Sequence, residues 1–361
     1  MDVARAGQRI FRQAWSRRRL LAGMAALPAA ASLGLLAQRA TSQDQPEEDV
    51  SFFRIATGPT DGNYFDIGGL LATAVSNPPG SRPCDQGGAC GVQGLVAVAE
   101  TSTGSVENIK LLGEGMVESA LSQCDIAYWA YSATGMYQSK LPQGNLRAIA
   151  NLYQESLQIV VRAESPIKSI PDLKGRRVSL GERGSGTRAT ASLVVEAYGL
   201  TARSFKGEQL SIGDAVRELQ EGTLDAFFVV GGDTIPSILQ LAEAIPVRLL
   251  PVDGEPAQVL RQANQFLTMD VIPAGNYRNE AAVVTVGIGT YWLVLDSMAE
   301  DLAYELTKSL WHPSTRKILD EGSPIGRKIR FENAFIGLPI PLHDGASRYY
   351  VERRNKTPDG N

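Results

Sequence analysis

Arg177-Val178-Ser179-Leu180-Gly181-Glu182-Arg183-Gly184-Ser185-Gly186-Thr187 is the stretch on which the fold turns. Its first four residues read as a short strand and the next six as a turn-rich loop. Thr187–Tyr198 then has the apolar spacing of a helix, closed by Gly199. The loop has the two glycines and the threonine of a Walker A loop but lacks its lysine, because Gly186 runs straight into Thr187. Without that lysine nothing reaches the outer phosphates, which argues against nucleotide hydrolysis. An anion site survives: free backbone N–H groups, the hydroxyls of Ser185 and Thr187 and the positive end of a helix can hold a carboxylate. A glycine-rich turn with Ser185 or Thr187 as a plain N-cap fits the same residues equally well.

The pattern occurs before and after this stretch. Phe52–Thr57 reads as a strand running into the turn cluster Gly58-Pro59-Thr60-Asp61-Gly62-Asn63, and Tyr64–Val75 has helical spacing. Gly94–Thr101 alternates as a strand does. Ser105 has N-cap chemistry ahead of Val106, Ile109, Leu112 and Met116 on one helical face. Leu146–Tyr153 and Leu157–Val161 are two short apolar runs of the buried-strand type. Ser211–Gln220 is an amphipathic helix ended by Gly222, and Leu224–Val230 is a strand. Val283–Gly287 and Tyr291–Leu295 are strand-like, and Ser297-Met298-Ala299-Glu300 has the form of a capping box opening a helix. Strand alternating with helix predicts parallel sheets flanked by helices, in two successive α/β units. Three strand-to-helix turns, at Thr57–Tyr64, Gly104–Asn108 and Gly181–Thr187, fall where open α/β sheets bind ligands.

The first 42 residues carry seven basic side chains and one acid, and Leu20–Ala37 is uncharged and rich in Ala and Leu. This is the form of a secretory signal peptide over residues 1–42, and Ser16-Arg17-Arg18-Arg19-Leu20-Leu21 resembles a twin-arginine motif. An uncleaved membrane anchor is the alternative. Without this segment the formal net charge falls from −4 to −10, a balance that argues against nucleic acid as a partner. Cys84 and Cys90 lie in a Pro/Gly-rich loop, where an oxidising compartment would join them as a local disulfide; Cys124 is left as a buried free thiol. Cys124, His312 and His343 do not supply a metal site, and no cofactor motif is present. Neither histidine has a metalloprotease spacing and nothing reads as a nucleophile elbow, so no catalytic residue is assigned. Asp61, Glu107 and Glu182 are the general-base candidates that an enzyme reading would have to use.

Several ordered stretches carry a family resemblance. They are Ile55–Tyr64, Gly104–Asn108, Gln123–Tyr128, Leu173–Ser179, Gly184–Thr190, Asp225–Phe228, Pro246–Pro251, Ile272–Tyr277 and Gly337–His343. Over residues 52–351 the chain resembles the TAXI-type solute-binding proteins of TRAP transporters. The resemblance implies a type II periplasmic-binding-protein-like α/β fold, with two lobes joined by a hinge crossed twice and a ligand cleft between them. Residues 50–157 and 288–361 would form one lobe and 158–287 the other. It further implies a periplasmic protein that hands a small carboxylate, such as glutamate or 2-oxoglutarate, to a membrane permease. A sensor that presents its closed form to a membrane signalling protein would share this fold. Ligand contacts would come from Thr60, Asn63, Tyr64, Ser105, Asn108, Gln123, Ser185, Gly186 and Thr187. The first turn departs from the family pattern at Pro59, Asp61 and Asn63, and an inward-pointing Asp61 would repel an anion.

Overall fold

The computed structural model describes residues 50–201 and 203–356; the signal-peptide reading concerns residues outside these. The first part of the described chain runs β1 (Ser51–Ala56), α1 (Asn63–Val75), β2 (Ser76–Asn77), β3 (Val92–Gln93), β4 (Leu95–Glu100), α2 (Ser105–Gly113), β5 (Ser119–Gln123) and α3 (Cys124–Ser132). The long strand β6 (Leu146–Arg162) leads to β7 (Arg177–Ser179), α4 (Gly186–Ala197), β8 (Lys206–Glu208), α5 (Ile212–Glu221), β9 (Ala226–Gly231), α6 (Pro236–Ala244), β10 (Val247–Leu249), α7 (Gly254–Ala263) and β11 (Thr268–Ile272). The return strand β12 (Val283–Leu295) is followed by α8 (Glu300–Leu310), α9 (Pro313–Gly322) and α10 (Asp344–Lys356).

Ten strands form one sheet in the order β4-β1-β5-β12-β6-β9-β7-β8, with β10 added beside β6 and β11 beside β12. At each end the strands are parallel, as the alternation of strand and helix predicts: β4, β1 and β5 on one side, β9, β7 and β8 on the other. Both ends are joined through antiparallel pairs, because β6 and β12 run against each other and against their other neighbours. This mixed α/β arrangement, two helix-flanked parallel sets sharing two long strands, is the type II periplasmic-binding-protein-like fold.

Two differences from the sequence reading concern these long strands. Leu146–Tyr153 and Leu157–Val161 are one continuous strand, and so are Val283–Gly287 and Tyr291–Leu295. The polar residues between the apolar runs stay in the ladder. Ser156 pairs with Gly287 on one side and Gly231 on the other, and its hydroxyl donates to Asp270 at 2.5 Å. β6 thus trades partners at Ser156, from β12 over Leu146–Ser156 to β9 over Ser156–Val161. β12 likewise pairs with β11 up to Gly287 and with β5 from Thr290.

The helix starts also shift. α8 begins at Glu300 with Ala299 in the N-cap position and no side-chain cap, so the Ser297–Glu300 capping box is not formed. Glu300 instead accepts from Arg348 of α10 at 2.6 Å. α2 has Gly104 at its N-cap, which frees the Ser105 hydroxyl oxygen to accept the Gln123 N–H at 3.1 Å. Apolar faces of α1 and α8 pack with β1 and the centre of β12, where Trp292 is fully buried. Among the described residues no helix is long and apolar enough to cross a membrane.

Cys84 and Cys90 are bonded to each other, and Cys124 is a buried free thiol. The small loop they close lies against the return segment: Cys84 Sγ is 3.8 Å from His312 Nε2, and the Ser309 hydroxyl donates to Cys90 O at 3.5 Å. A cross-link over so short a loop constrains the unfolded chain by about 2 kcal/mol. Reduction with a dithiol is therefore expected to lower the unfolding free energy by roughly that amount in urea titrations. An unchanged midpoint would mean that the contacts with Ser309 and His312 hold the loop without the cross-link.

Candidate functional site

A cavity of about 70 Å³ lies where the helix starts of the two parallel sets meet. It is lined by Gly62, Asn63 and Tyr64 at the start of α1, Gly104 and Ser105 at the start of α2, Gln123 ahead of α3, and Ser185, Gly186 and Thr187 at the start of α4. β1, β4 and β7 deliver the next helices, α1, α2 and α4, with their first turns at this point. N–H groups of a helix's first turn have no partner within the helix, so the cavity sits at several partial positive ends.

Seven of the nine residues singled out from sequence line the cavity: Asn63, Tyr64, Ser105, Gln123, Ser185, Gly186 and Thr187. Thr60 is exposed and outside it. Asn108 is fully buried, and its Nδ2 donates to the carbonyls of Thr57 at 2.5 Å and Leu121 at 2.7 Å. Its Oδ1 accepts from the Ser102 hydroxyl at 2.6 Å. Asn108 therefore ties the ends of β1 and β5 to α2. Asp61 does not line the cavity either; its carboxylate lies toward Gly213 in the first turn of α5, so it does not face an anion there.

Most hydroxyls that line the cavity are already engaged. Ser185 is an N-cap whose Oγ accepts the Arg188 N–H at 3.2 Å, so the plain-cap reading holds for it. Thr187 Oγ1 accepts the Val230 N–H at 2.9 Å and pins α4 to β9. The two sides of the cavity touch. The N–H groups of Val106 and Glu107 both donate to Gly184 O at 3.1 Å, Asn63 Oδ1 accepts the Gly232 N–H at 2.9 Å, and Lys328 pairs with Asp233 at 2.8 Å. Gly186 is the tightest point, because a Cβ there would lie 2.1 Å from Gln123 Oε1 and 2.8 Å from Ser105 Oγ.

Sequence reasoning missed Glu155. It lies in β6, is 2% exposed and lines the cavity, and its Oε2 accepts from the Tyr64 hydroxyl at 2.8 Å. Burial pushes its carboxyl up to about 7, with Asp125 adding to the rise and the Tyr64 hydrogen bond opposing it. Asp125, at the start of α3, is also pushed up to about 7 by burial. Among the described residues the cavity lining contains no histidine, cysteine, lysine or arginine. Larger hollows lie elsewhere, including one of about 740 Å³ beside α10 lined by Phe331, Phe335, Leu342, Tyr350, Arg353 and Arg354.

Comparison with known proteins assigns the chain. The model of the NMT1-like family matches residues 55–353, and the chain belongs to that family. Among solved structures it is similar to the periplasmic aliphatic sulphonate binding protein SsuA of Escherichia coli, at 16% identity and a TM-score of 0.41, covering 83% of this chain and 78% of that one. It is also similar to the alkanesulfonate-binding protein SsuA of Xanthomonas axonopodis pv. citri bound to MOPS, at 13% identity and a TM-score of 0.43, covering 84% of each chain.

Proposed function

We propose that this member of the NMT1-like family is an exported solute-binding protein that captures a small organic anion by closing two lobes on it. The observation that carries the reading is the convergence of the α1, α2 and α4 N-termini, from both parallel sets, on one small cavity. Helix N-termini offer N–H donors and positive potential to a carboxylate without a charged side chain. Asn63, Tyr64, Ser105, Gln123, Ser185, Gly186 and Thr187 are the contact residues in this reading. One lobe comprises residues 50–157 and 288–361, the other 158–287. The borders are supported by the exchange of strand partners at Ser156 and between Gly287 and Thr290.

The short stretches shared with TAXI-type proteins favour a TRAP permease as the recipient and the periplasm as the location. No turnover is expected: the Ser185 and Thr187 oxygens already accept backbone N–H groups, and the lining has no histidine to activate a hydroxyl. The test is a thermal-shift screen of carboxylates, sulfonates and amino acids against the protein. A ligand at about 100 times its dissociation constant stabilises by roughly 2.7 kcal/mol, a clear shift. The same ligand should compact the particle in small-angle scattering. Silence across the whole screen would refute the solute-binding reading.

A further inference from the structure

Glu155 is the one carboxylic acid in the cavity lining, and no basic side chain accompanies it among the described residues. It is placed in the middle of β6, where the strand changes partners, and it is almost fully buried. The groups that face it are the Tyr64 phenol of α1, the Tyr153 phenol of β6, the Asp125 carboxyl of α3 and the Thr290 side chain of β12. None of them is cationic. A carboxyl removed from water ionises at a cost that a cationic partner would offset, and none of these groups supplies one. The same cavity carries the positive ends of α1, α2 and α4.

From this pairing of one buried acid with several helix ends we propose that Glu155 determines specificity: it seats a cationic group on a ligand whose carboxylate lies at the helix ends, so the ligand is a zwitterion of the α-amino acid class. The inference rests on the solute-binding reading above and changes its ligand from a plain anion to a solute that carries both a carboxylate and an ammonium. A 2-oxo acid of the same carbon skeleton leaves Glu155 without its partner, and a second carboxylate set there meets a like charge. An ammonium removes the cost of the buried carboxylate while losing its own water.

The sign of proton exchange separates these cases. Without ligand the Glu155 carboxyl, raised to about 7, is largely protonated below that pH. Pairing with an ammonium requires the ionised form, so binding releases a proton and affinity rises with pH through that range. An anion placed beside Glu155 favours the protonated form, so binding takes up a proton and affinity falls as pH rises.

The experiment is titration calorimetry of the protein with matched pairs: L-glutamate and 2-oxoglutarate, L-alanine and pyruvate, L-leucine and 4-methyl-2-oxopentanoate. It is run in two buffers of different ionisation enthalpy, from about one pH unit below to one above the raised carboxyl. Expected are an amino acid bound roughly 100-fold tighter than its oxo partner, with protons released to the buffer. Glu155→Gln should abolish the proton release and most of that preference. A preferred oxo acid, proton uptake, or an unchanged preference in Glu155→Gln overturns the proposal. If the variant does not fold, proton release by the unaltered protein decides alone. If no amino acid binds, this inference falls. The wider reading then stands only if a solute without a cationic group gives a hit in the thermal-shift screen.

Discussion

Gly186→Val should leave the protein folded and weaken ligand capture by roughly 10- to 100-fold. Gly186 is the first residue of α4, with no positive φ, so valine meets no backbone strain of its own there. The obstacle lies across the cavity. A Cβ at this position would sit 2.1 Å from Gln123 Oε1 and 2.5 Å from Gln123 Cδ, both on the opposite wall. Gln123 is 2% exposed and its Oε1 also accepts from Thr190 at 3.4 Å, so the amide has little room to retreat. Overpacking of this kind costs about 1–3 kcal/mol, and here the cost falls on the closed arrangement alone. The measurement pairs calorimetric affinity for a solute found in the thermal-shift screen with small-angle scattering, using Gly69→Ala as the control. Gly69, in α1, has nothing within 4 Å of an added Cβ. Capture and compaction equal to those of the unaltered protein in Gly186→Val would show that α4 and Gln123 need not approach.

Asn108→Ala should cost roughly 3 kcal/mol of stability, because the buried carbonyls of Thr57 and Leu121 both lose its amide, and for Thr57 the Ser102 hydroxyl remains at 3.2 Å. The Ser102 hydroxyl loses the nearer of its two acceptors as well. These groups fix where β1 and β5 end relative to α2, so the loss should appear in urea unfolding with or without ligand. Ligand affinity, measured where the variant is still folded, should change less than in Gly186→Val. A variant of ordinary stability that no longer binds would return Asn108 to the ligand and contradict its role as a tie between strands.

The contrast between these two positions shows what was legible in the sequence. Glycine, serine and threonine between a strand and a helix mark a helix start, and the topology brings three such starts together at Asn63, Ser105 and Gly186. An asparagine beside such a start carries no sign of whether its amide serves a ligand or the carbonyls of neighbouring strands, since the chemistry is the same. Thr187 shows the same ambiguity, with its hydroxyl taken by Val230. Continuity of the long strands was hidden because Gln154-Glu155-Ser156 and Gly289-Thr290 interrupt apolar runs and resemble loops. Period and hydrophobicity are local signals, whereas these residues remain strands because partners far along the chain pair with them. Glu155 had one available signal, an acid between two buried-strand runs, Leu146–Tyr153 and Leu157–Val161.

The two long strands have a mechanical consequence. β6 and β12 lie side by side and are hydrogen-bonded to each other from Leu146–Leu295 to Ser156–Gly287, through the region where their outer partners change. A two-stranded ribbon bends readily out of its own plane but resists sliding, because sliding would break every rung of the ladder together. A joint of this kind behaves as a leaf spring. Bending of such a ribbon would keep its backbone paired except at the two register shifts, between Thr290 and Tyr291 and between Trp292 and Leu293.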